Sequence, residues 1–260
     1  SQEAKKAIPG NSNRSIYDII SSCALSEVEE KKLMNHIKSK KKIFISTPFC
    51  KAAVDRLIKF ENENNKKVFT ILQLRYHPSI IKLKNKINSI LKTNPNKVFE
   101  IDLTYMTSRG QWYLYSWKGD DSKSGGIATN IGVHFFDMLS WIFGECTEVK
   151  TNIKKEDVNA GILKFKNANV RWFLSINSKY LIQNSANKNL KTFRSILVDE
   201  EEVEFSNGFT DLHTTSYIDI LKGDGFGLED AKASIEIVSK IRSSVPVGLK
   251  GEYHPFCKLV

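Results

Sequence analysis

The chain has 260 residues, of which 41% are hydrophobic and 26% charged, and its formal net charge is +10. This composition is typical of a globular protein with a substantial core. No apolar run approaches the roughly 20 residues that cross a bilayer, so we expect no membrane partner. We also expect no nucleic-acid partner. Of the 39 basic residues 32 are lysines, whereas recognition of bases and phosphates usually relies on the guanidinium of arginine.

The four cysteines are far apart in the chain and form no CxxC pair. This spacing argues against a zinc site or a disulfide framework, and it favours a reducing, cytoplasmic location. No metal site is therefore expected. Residues 1–15 are polar and lack the apolar core of a signal peptide, so we interpret them as a linker.

Short strand-like runs alternate with helical stretches in the first third of the chain. Strands are predicted at residues 16–21, 42–46 and 67–74, and helices at residues 26–38 and 52–64. Alternation of this kind predicts βαβ units with a parallel sheet. We expect a parallel segment of about three strands.

After residue 78 the pattern changes to longer strands that are linked by turns. Five strands are predicted, at residues 97–107, 160–166, 170–177, 193–199 and 202–206. "KNAN" (166–169) and "DEE" (199–201) predict hairpin turns. Helices are predicted before and after these strands, at residues 79–91, 214–221 and 228–243. The expected fold class is α/β (α+β), in which a parallel half-domain precedes a large, open, mostly antiparallel sheet backed by helices.

The stretch "SGGIATNIGVHFFDML", residues 124–139, begins with two glycines and continues as an apolar, helix-like segment. Asn130 and His134 are four residues apart, which places them on one face of a helix. Taken alone, a histidine on such a segment is more often a core residue than a catalyst.

Four segments together resemble the Gfo/Idh/MocA oxidoreductases: "ILQLRYHPSI", "DLTYMTSRGQWYLYSWKGDDSKSGGIATNIGVHFFDML", "VRWFLSIN" and "EEVEFSNGFTDLHTTSYIDIL". More narrowly, they resemble the WlbA/WbpB-like branch, which oxidises UDP-N-acetylglucosaminuronate (UDP-GlcNAcA) at C3. The resemblance covers nearly everything from Ile16 onward. It implies a Rossmann domain that binds NAD, followed by a C-terminal domain whose open sheet binds the sugar and often forms the oligomer interface.

The resemblance assigns His134 to the proton transfer that accompanies hydride transfer, with Asn130 one turn earlier. The family pairs this histidine with a lysine in a Glu-Lys-Pro motif, which can carry or take the proton of the alcohol. At the matching position this sequence reads Ser46-Thr47-Pro48. Thr47 is too short to reach the position of a lysine amine, and its hydroxyl is no base near neutral pH unless another base activates it. We therefore interpret His134 and Asn130 as vestigial catalytic residues.

The cofactor site is also expected to be lost. A Rossmann domain binds the pyrophosphate on a glycine-rich turn at the start of a helix, but Gly10 is the only glycine among the first 109 residues. The run at residues 16–21 matches the later half of a family Rossmann domain, and too few residues precede it for another βαβ unit of about 30 residues. The loop "CALSE", residues 23–27, replaces the Pro-Asn turn that the family places beside the nicotinamide. We expect no cofactor where the family binds NAD.

The substrate side is predicted to be retained. Arg75 and His77 match family positions that border the substrate pocket. The other substrate contacts lie in the central segment: Arg109, Trp112, Tyr113, Trp117 and Lys118. Arginine and lysine can bind phosphate or carboxylate, and flat aromatic rings can stack on a base or sugar. For Tyr113 and Trp117, packing in the sheet is an equal alternative. Asp137 is assigned a local cap or ion pair, and His213 a surface or structural place.

These inferences divide the chain into a linker (residues 1–15), a truncated, Rossmann-like segment (residues 16–78) and a Gfo/Idh/MocA sheet domain (residues 79–260). The hypothesis is a degenerate, non-catalytic domain of surface-polysaccharide sugar biosynthesis that keeps a UDP-sugar pocket or an oligomerisation role. Its expected partners are a nucleotide sugar, a second copy through the sheet face, and a linked or separate sugar-modifying domain. The alternative is an active NAD-dependent UDP-GlcNAcA 3-dehydrogenase whose cofactor half is supplied elsewhere. A basic nucleic-acid-binding module is a third, weaker alternative, because the chain has no motif for one.

Overall fold

The N-terminal part of the described chain is a parallel strand pair joined by a helix. The computed structural model describes residues 43–45, 51–64, 68–110, 112–115, 119, 124–184, 191–203, 205 and 208–260. Strand β1 (Ile43–Ile45) pairs in parallel with β2 (Val68–Thr70), and helix α1 (Lys51–Asn64) connects them. The predicted strand at residues 42–46 and helix at residues 52–64 are confirmed. The predicted strand at 16–21 and helix at 26–38 lie outside the described residues.

The predicted strand at residues 67–74 is too long. It ends at Thr70, and the chain continues as a 3₁₀ turn (Gln73–Tyr76) that leads into helix α2 (Pro78–Thr93). Thr70 donates its backbone N–H to the carbonyl of Phe226 at 2.8 Å, so the edge of β2 is partly paired by the segment before the last long helix. The short β2 is thereby fixed to the C-terminal part of the chain.

A six-stranded sheet forms the larger part of the molecule. Its strands are β3 (Phe99–Thr107), β4 (Cys146–Lys154), β5 (Val158–Phe165), β6 (Ala168–Ser175), β7 (Thr192–Val198) and β8 (Glu201–Val203). The strand order is β4-β5-β6-β3-β7-β8, and the β3–β6 pair is parallel whereas the other four pairs are antiparallel. The mostly antiparallel sheet and both hairpins are confirmed. Strand β4 was not predicted.

Helices cover one face of the sheet and enclose the main core. They are α2, a short α3 (Trp112–Tyr115), α4 (Val133–Phe143) and α7 (Leu228–Ser243). Helix α5 (Ser178–Asn184) lies after β6, and α6 (Leu212–Lys222) packs beside β2 and the 3₁₀ turn. Trp172 of β6 is fully buried, and its ring meets the ring of Phe136 edge-on at 5.3 Å between centroids. Packing of α4 on the sheet thus fixes the segment in which His134 lies. Among the described helices none is long and apolar enough to cross a membrane.

The other face of the sheet has two different halves. At one end, apolar residues are covered by α5 and the C-terminal segment: Met106, Ile153, Val158, Ala160 and Phe173. His254 lies in this cover, with its Nε2 at 3.0 Å from the Thr104 hydroxyl. At the other end the face carries polar pairs, of which the strongest is a two-pronged contact of Arg171 with Asp102 at 2.6 and 2.7 Å.

Arg75 joins the N-terminal part of the described chain to two helices. Its guanidinium donates to both carboxylate oxygens of Asp137 on α4, at 2.7 and 3.1 Å. It also donates to the carboxylate and the backbone carbonyl of Asp230 on α7, at 3.2 and 2.8 Å. The ring of Phe226 stacks on it at 4.6 Å. Asp137 was expected to pair locally, but its partner is 62 residues away.

We predict that Arg75→Met lowers the free energy of unfolding by about 3–5 kcal/mol, because it leaves the buried carboxylate of Asp137 without its partner. Urea unfolding followed by circular dichroism measures this. A matched control is Lys86→Met, which breaks the exposed ion pair with Glu201 and should cost less than about 1 kcal/mol. An equal decrease in the free energy of unfolding in the two variants would show that Arg75 is no more important for stability than an exposed ion pair. Adding Asp137→Asn to Arg75→Met should recover part of the loss.

Candidate functional site

The segment that carries Asn130 and His134 begins with two left-handed glycines. Gly125 and Gly126 have φ angles of 74° and 71°, a conformation that costs a residue with a Cβ atom. Residues Ala128–Gly132 then form a turn of π-helix before α4 begins at Val133. Turns of this type occur frequently at functional sites because they widen the helix and redirect side chains.

The structure brings Asn130 close to Tyr113 and Arg109. Burial raises the pKa of the Tyr113 phenol, while the charge of Arg109 and a hydrogen bond with the Asn130 side chain oppose this shift. The Asn130 side chain also donates to the Gly126 carbonyl at 3.0 Å, which fixes its orientation. Tyr113 is thus influenced by two other predicted site residues, of which Arg109 lies on the same stretch of the chain and Asn130 on a later one.

His134 lies one turn after Asn130 and is partly buried. Burial, together with the smaller effect of the nearby His213, lowers the pKa of its imidazole to about 4. The ring is therefore neutral at pH 7, so one of its nitrogens can accept a hydrogen bond while the other donates one. His213 was assigned a structural place, and its effect on His134 is a finding that the sequence did not indicate.

Arg75 and His77 lie where protein contacts already engage them. Arg75 uses its donors on Asp137 and Asp230, as described above. His77 is buried, and its Nδ1 accepts a hydrogen bond from the backbone N–H of Ser79 at 3.2 Å, so that it caps α2. The ring of Phe209 lies against it at 5.0 Å. These contacts do not support a role of Arg75 or His77 in substrate binding. Both roles stay predictions.

The remaining predicted site residues cannot be placed by their side chains. Trp112 is the first residue of α3, but its side chain is outside the described part of the structure. Outside the described residues altogether are Trp117, Lys118 and Thr47. Arg109 is exposed just after β3, and Tyr113 is buried. A cavity of about 230 Å³ opens beside Tyr113, Gly126 and Ile127 and continues to the turn between β4 and β5.

Tyr105 of β3 is a site residue that the sequence analysis missed. Its ring stacks on Phe135 at 5.2 Å, and its phenol influences the pKa of Tyr113. It is 8% exposed. The signal that would have found it is its place at the end of a strand, two residues before the loop that carries Arg109.

Comparison with known proteins identifies the fold and its relatives. Residues 96–189 match the model of the oxidoreductase family, C-terminal alpha/beta domain (Gfo/Idh/MocA). The crystal structure of the WlbA (WbpB) dehydrogenase from Thermus thermophilus in complex with NAD and alpha-ketoglutarate is 39% identical to this chain. That match covers 90% of this chain and 75% of the other, with a TM-score of 0.80. The chain belongs to the Gfo/Idh/MocA oxidoreductase family, and its near structural neighbours are WlbA (WbpB) dehydrogenases.

Two further structures support the same branch or the same fold. The Thermus thermophilus enzyme in complex with NAD and UDP-GlcNAcA matches at 38% identity over 90% of this chain and 75% of that one, with a TM-score of 0.79. The WlbA dehydrogenase from Bordetella pertussis in complex with NADH and UDP-GlcNAcA is 16% identical, covers 87% of this chain and 77% of its own, and has a TM-score of 0.63. That likeness shows the fold alone.

The N-terminal third also matches a different family. Residues 1–89 match the NeuB family model, and this match ends just before the oxidoreductase match begins at residue 96. The residues of this third do not fit an NAD pyrophosphate. No glycine occurs between residues 11 and 109, and the unit β1–α1–β2 therefore has no residue that allows the close approach of backbone to pyrophosphate. Among the described residues, no cluster of metal-ligating side chains is present either.

We predict that Gly132→Ala destabilises the protein by about 1–3 kcal/mol, although alanine favours a helix over glycine. A Cβ atom at Gly132 would lie 2.7 Å from the ring of Phe136 and 3.0 Å from Leu174, so the segment that carries Asn130 and His134 would move off the sheet. Thermal unfolding measures the change. Gly227→Ala is the control, since its Cβ would meet nothing nearer than 3.9 Å. A stabilised Gly132→Ala variant would show that the sheet does not constrain this segment.

Proposed function

We propose that this chain is a sugar-nucleotide-binding member of its family that does not transfer hydride by itself. The observation that carries the proposal is the contrast within one site. Tyr113 is influenced by Arg109 and Asn130, and His134 lies one turn after Asn130, whereas the position of the family's lysine is occupied by Thr47. Binding groups are therefore present where a main proton-transfer group is not.

The chemistry of the cluster supports a bound sugar nucleotide. Arg109 is exposed and can form a charge-assisted contact with an oxyanion. Tyr113 and Asn130 offer hydroxyl and amide groups that can meet the hydroxyls of a sugar. The neutral imidazole of His134 adds a further acceptor. UDP-GlcNAcA is bound by the Thermus thermophilus relative in its crystal structure, and we propose the same class of ligand here.

Residues 1–89 match the NeuB family model, but the match to the Thermus thermophilus dehydrogenase covers 90% of this chain and so includes most of the same residues. The support for a loss of hydride transfer is therefore the threonine at the lysine position. The alternative is an active dehydrogenase whose cofactor half comes from another segment or chain, and the 39% identity to an NAD-bound enzyme favours it. Even then, another group would have to replace the missing lysine.

We propose that a second copy binds the sheet face and that the chain acts in the cytoplasm beside a sugar-modifying domain. The half of the face that is free of the C-terminal segment carries the Asp102–Arg171 pair, and Arg171 keeps 41% of its side chain exposed. Arg171→Glu would place three acidic groups together, since Glu100 and Asp102 lie on the same face, and it should shift a dimer to monomer in sedimentation velocity. A wild-type monomer at micromolar concentration would contradict the proposal.

We predict that UDP-GlcNAcA or UDP-N-acetylglucosamine raises the melting temperature of the protein. A ligand that binds only the folded state stabilises it by about 2.7 kcal/mol at a hundredfold excess over Kd. Arg109→Ala should reduce this shift more than His134→Ala does. The arginine loses a charge-assisted contact, whereas the neutral histidine loses a hydrogen bond of about 0.5–1.5 kcal/mol. If neither UDP-sugar raises the melting temperature, the role of the chain is purely structural.

We predict no saturable binding of NAD or NADP and no turnover of UDP-GlcNAcA with either nucleotide. Isothermal calorimetry and absorbance at the reduced-nicotinamide band measure these two quantities. Thr47→Lys should not restore turnover, because the hydride acceptor still lacks a binding turn. Micromolar affinity for either nucleotide would favour the active dehydrogenase instead.

A further inference from the structure

A cavity of about 520 Å³ lies between helix α2 and the β7–β8 hairpin. Its lining includes Phe99, the first residue of β3, whereas Arg109 of the candidate site follows Thr107, the last residue of that strand. Eight residues of extended strand place the two ends of β3 about 26 Å apart. Small-molecule sites have volumes of about 300–1,000 Å³. The cavity is therefore large enough for a ligand and is separate from the site around Tyr113.

The floor of the cavity is apolar and is formed by one helix and three strands. Its six apolar residues are Leu83, Ile87, Ile90, Phe99, Val198 and Val203. The three that belong to α2 are spaced by four and three residues, so they form one stripe about 10 Å long on the helix. Water over such a floor has few partners for hydrogen bonds. An elongated apolar group that replaces this water is stabilised by its burial.

Two ion pairs engage three of the five charged residues that line the cavity. Lys86 of α2 and Glu201 of β8 form a pair at 2.7 Å, which joins the two walls of the cavity. Asp199, in the turn of the hairpin, forms a pair with Lys97 at 2.8 Å. The charges of these lining residues are therefore already compensated by the protein itself.

The other two charged residues are Glu202 and Lys82. Val203 packs against the main core, so its neighbour Glu202 is directed to the opposite face of the sheet, where it accepts a hydrogen bond from the Ser195 hydroxyl at 3.2 Å. Lys82 forms no ion pair with any described residue. It lies one turn after Ser79 on the same side of α2, and both residues line the cavity. An ammonium and a hydroxyl therefore offer donors at one end of the apolar stripe.

We infer that this cavity binds an amphiphilic monocarboxylate with an aliphatic body, of which a medium-chain alkanoate is the simplest example. The carboxylate accepts hydrogen bonds from Lys82 and Ser79, and the alkyl chain lies along Leu83, Ile87 and Ile90. A sugar does not suit this floor, because its hydroxyls would be buried without partners. The inference goes beyond the proposed function, since it uses no residue of the sugar-nucleotide site.

The probe is decanoate, used below the concentration at which it forms micelles. Calorimetry gives its Kd for the wild type, Lys82→Met and Lys92→Met. Lys92 lies in the last turn of α2 and does not line the cavity, so it controls for the loss of one positive charge. We expect Lys82→Met to weaken decanoate about tenfold, the scale of one charge-assisted contact, and Lys92→Met to weaken it less than about twofold. Decanol, which has no carboxylate, should bind the wild type and Lys82→Met equally.

A second measurement tests the apolar floor. Each methylene removed between decanoate and octanoate should weaken binding about fourfold, the value for a fully buried methylene. Val203→Phe places a ring in the cavity and should abolish the binding of decanoate. Thermal unfolding without ligand shows whether this variant folds. If it does not fold, the surface variant Lys82→Met and the chain-length series still decide the question.

Three outcomes would overturn the inference. They are a wild type that does not bind decanoate, equal weakening by Lys82→Met and Lys92→Met, and equal affinities for octanoate and decanoate. If decanoate does not bind and Val203→Phe converts a dimer to a monomer in sedimentation velocity, the cavity is occupied by a second copy instead. The response to UDP-sugars is measured separately at the site around Arg109, so its failure would contradict the proposed function and leave this inference standing.

Discussion

The structure depends on one buried cation, Arg75, and the two carboxylates around it. Asp137 is three residues after His134 on the same helix, so the ion pair that fixes Asp137 also fixes the rotation of that helix about its axis. Asp230 uses its other oxygen to accept from the N–H of Gly227 at 2.8 Å, which caps the helix that packs on α1. A single guanidinium therefore determines how the N-terminal unit, the site helix and the C-terminal helix lie together. Burying these charges costs desolvation free energy, and removing one partner strongly destabilises the folded state.

Loss of a catalytic group does not remove the other demands on a site. A hydride-transfer enzyme needs a base and a cofactor, but it also needs groups that hold the ligand in its ground state. We propose that Arg109, Tyr113 and Asn130 supply the second set in this chain. The strand-helix-strand unit presents an apolar helix face, with Val54, Leu57 and Phe60, that packs against α7.

The sequence predicted most elements whose periodicity was regular, including α1, α2, α7 and four of the longer strands. It missed β4, because register shifts at Cys146/Glu148 and Thr151/Ile153 interrupt the alternation of its side chains. It also could not show what Arg75 does, since the partners of a long cation are set by tertiary packing rather than by spacing. The sequence did not indicate that Asn130 lies close to Tyr113, and the only signal for Tyr105 was its place near the end of a strand.

Two histidines of the molecule share one structural device. His77 and His254 each precede a proline, and each accepts the backbone N–H two residues later through Nδ1 at 3.2 Å. Each ring also packs against a phenylalanine. Protonation of Nδ1 would turn the acceptor into a donor and so remove the cap. For His254, burial lowers the pKa to about 4 from an ordinary 6.5. The unfolded chain therefore binds the proton first, and the stability that this cap contributes above pH 6.5 declines as the pH falls towards 4. The segment that covers this face of the sheet therefore becomes less stable as the pH falls.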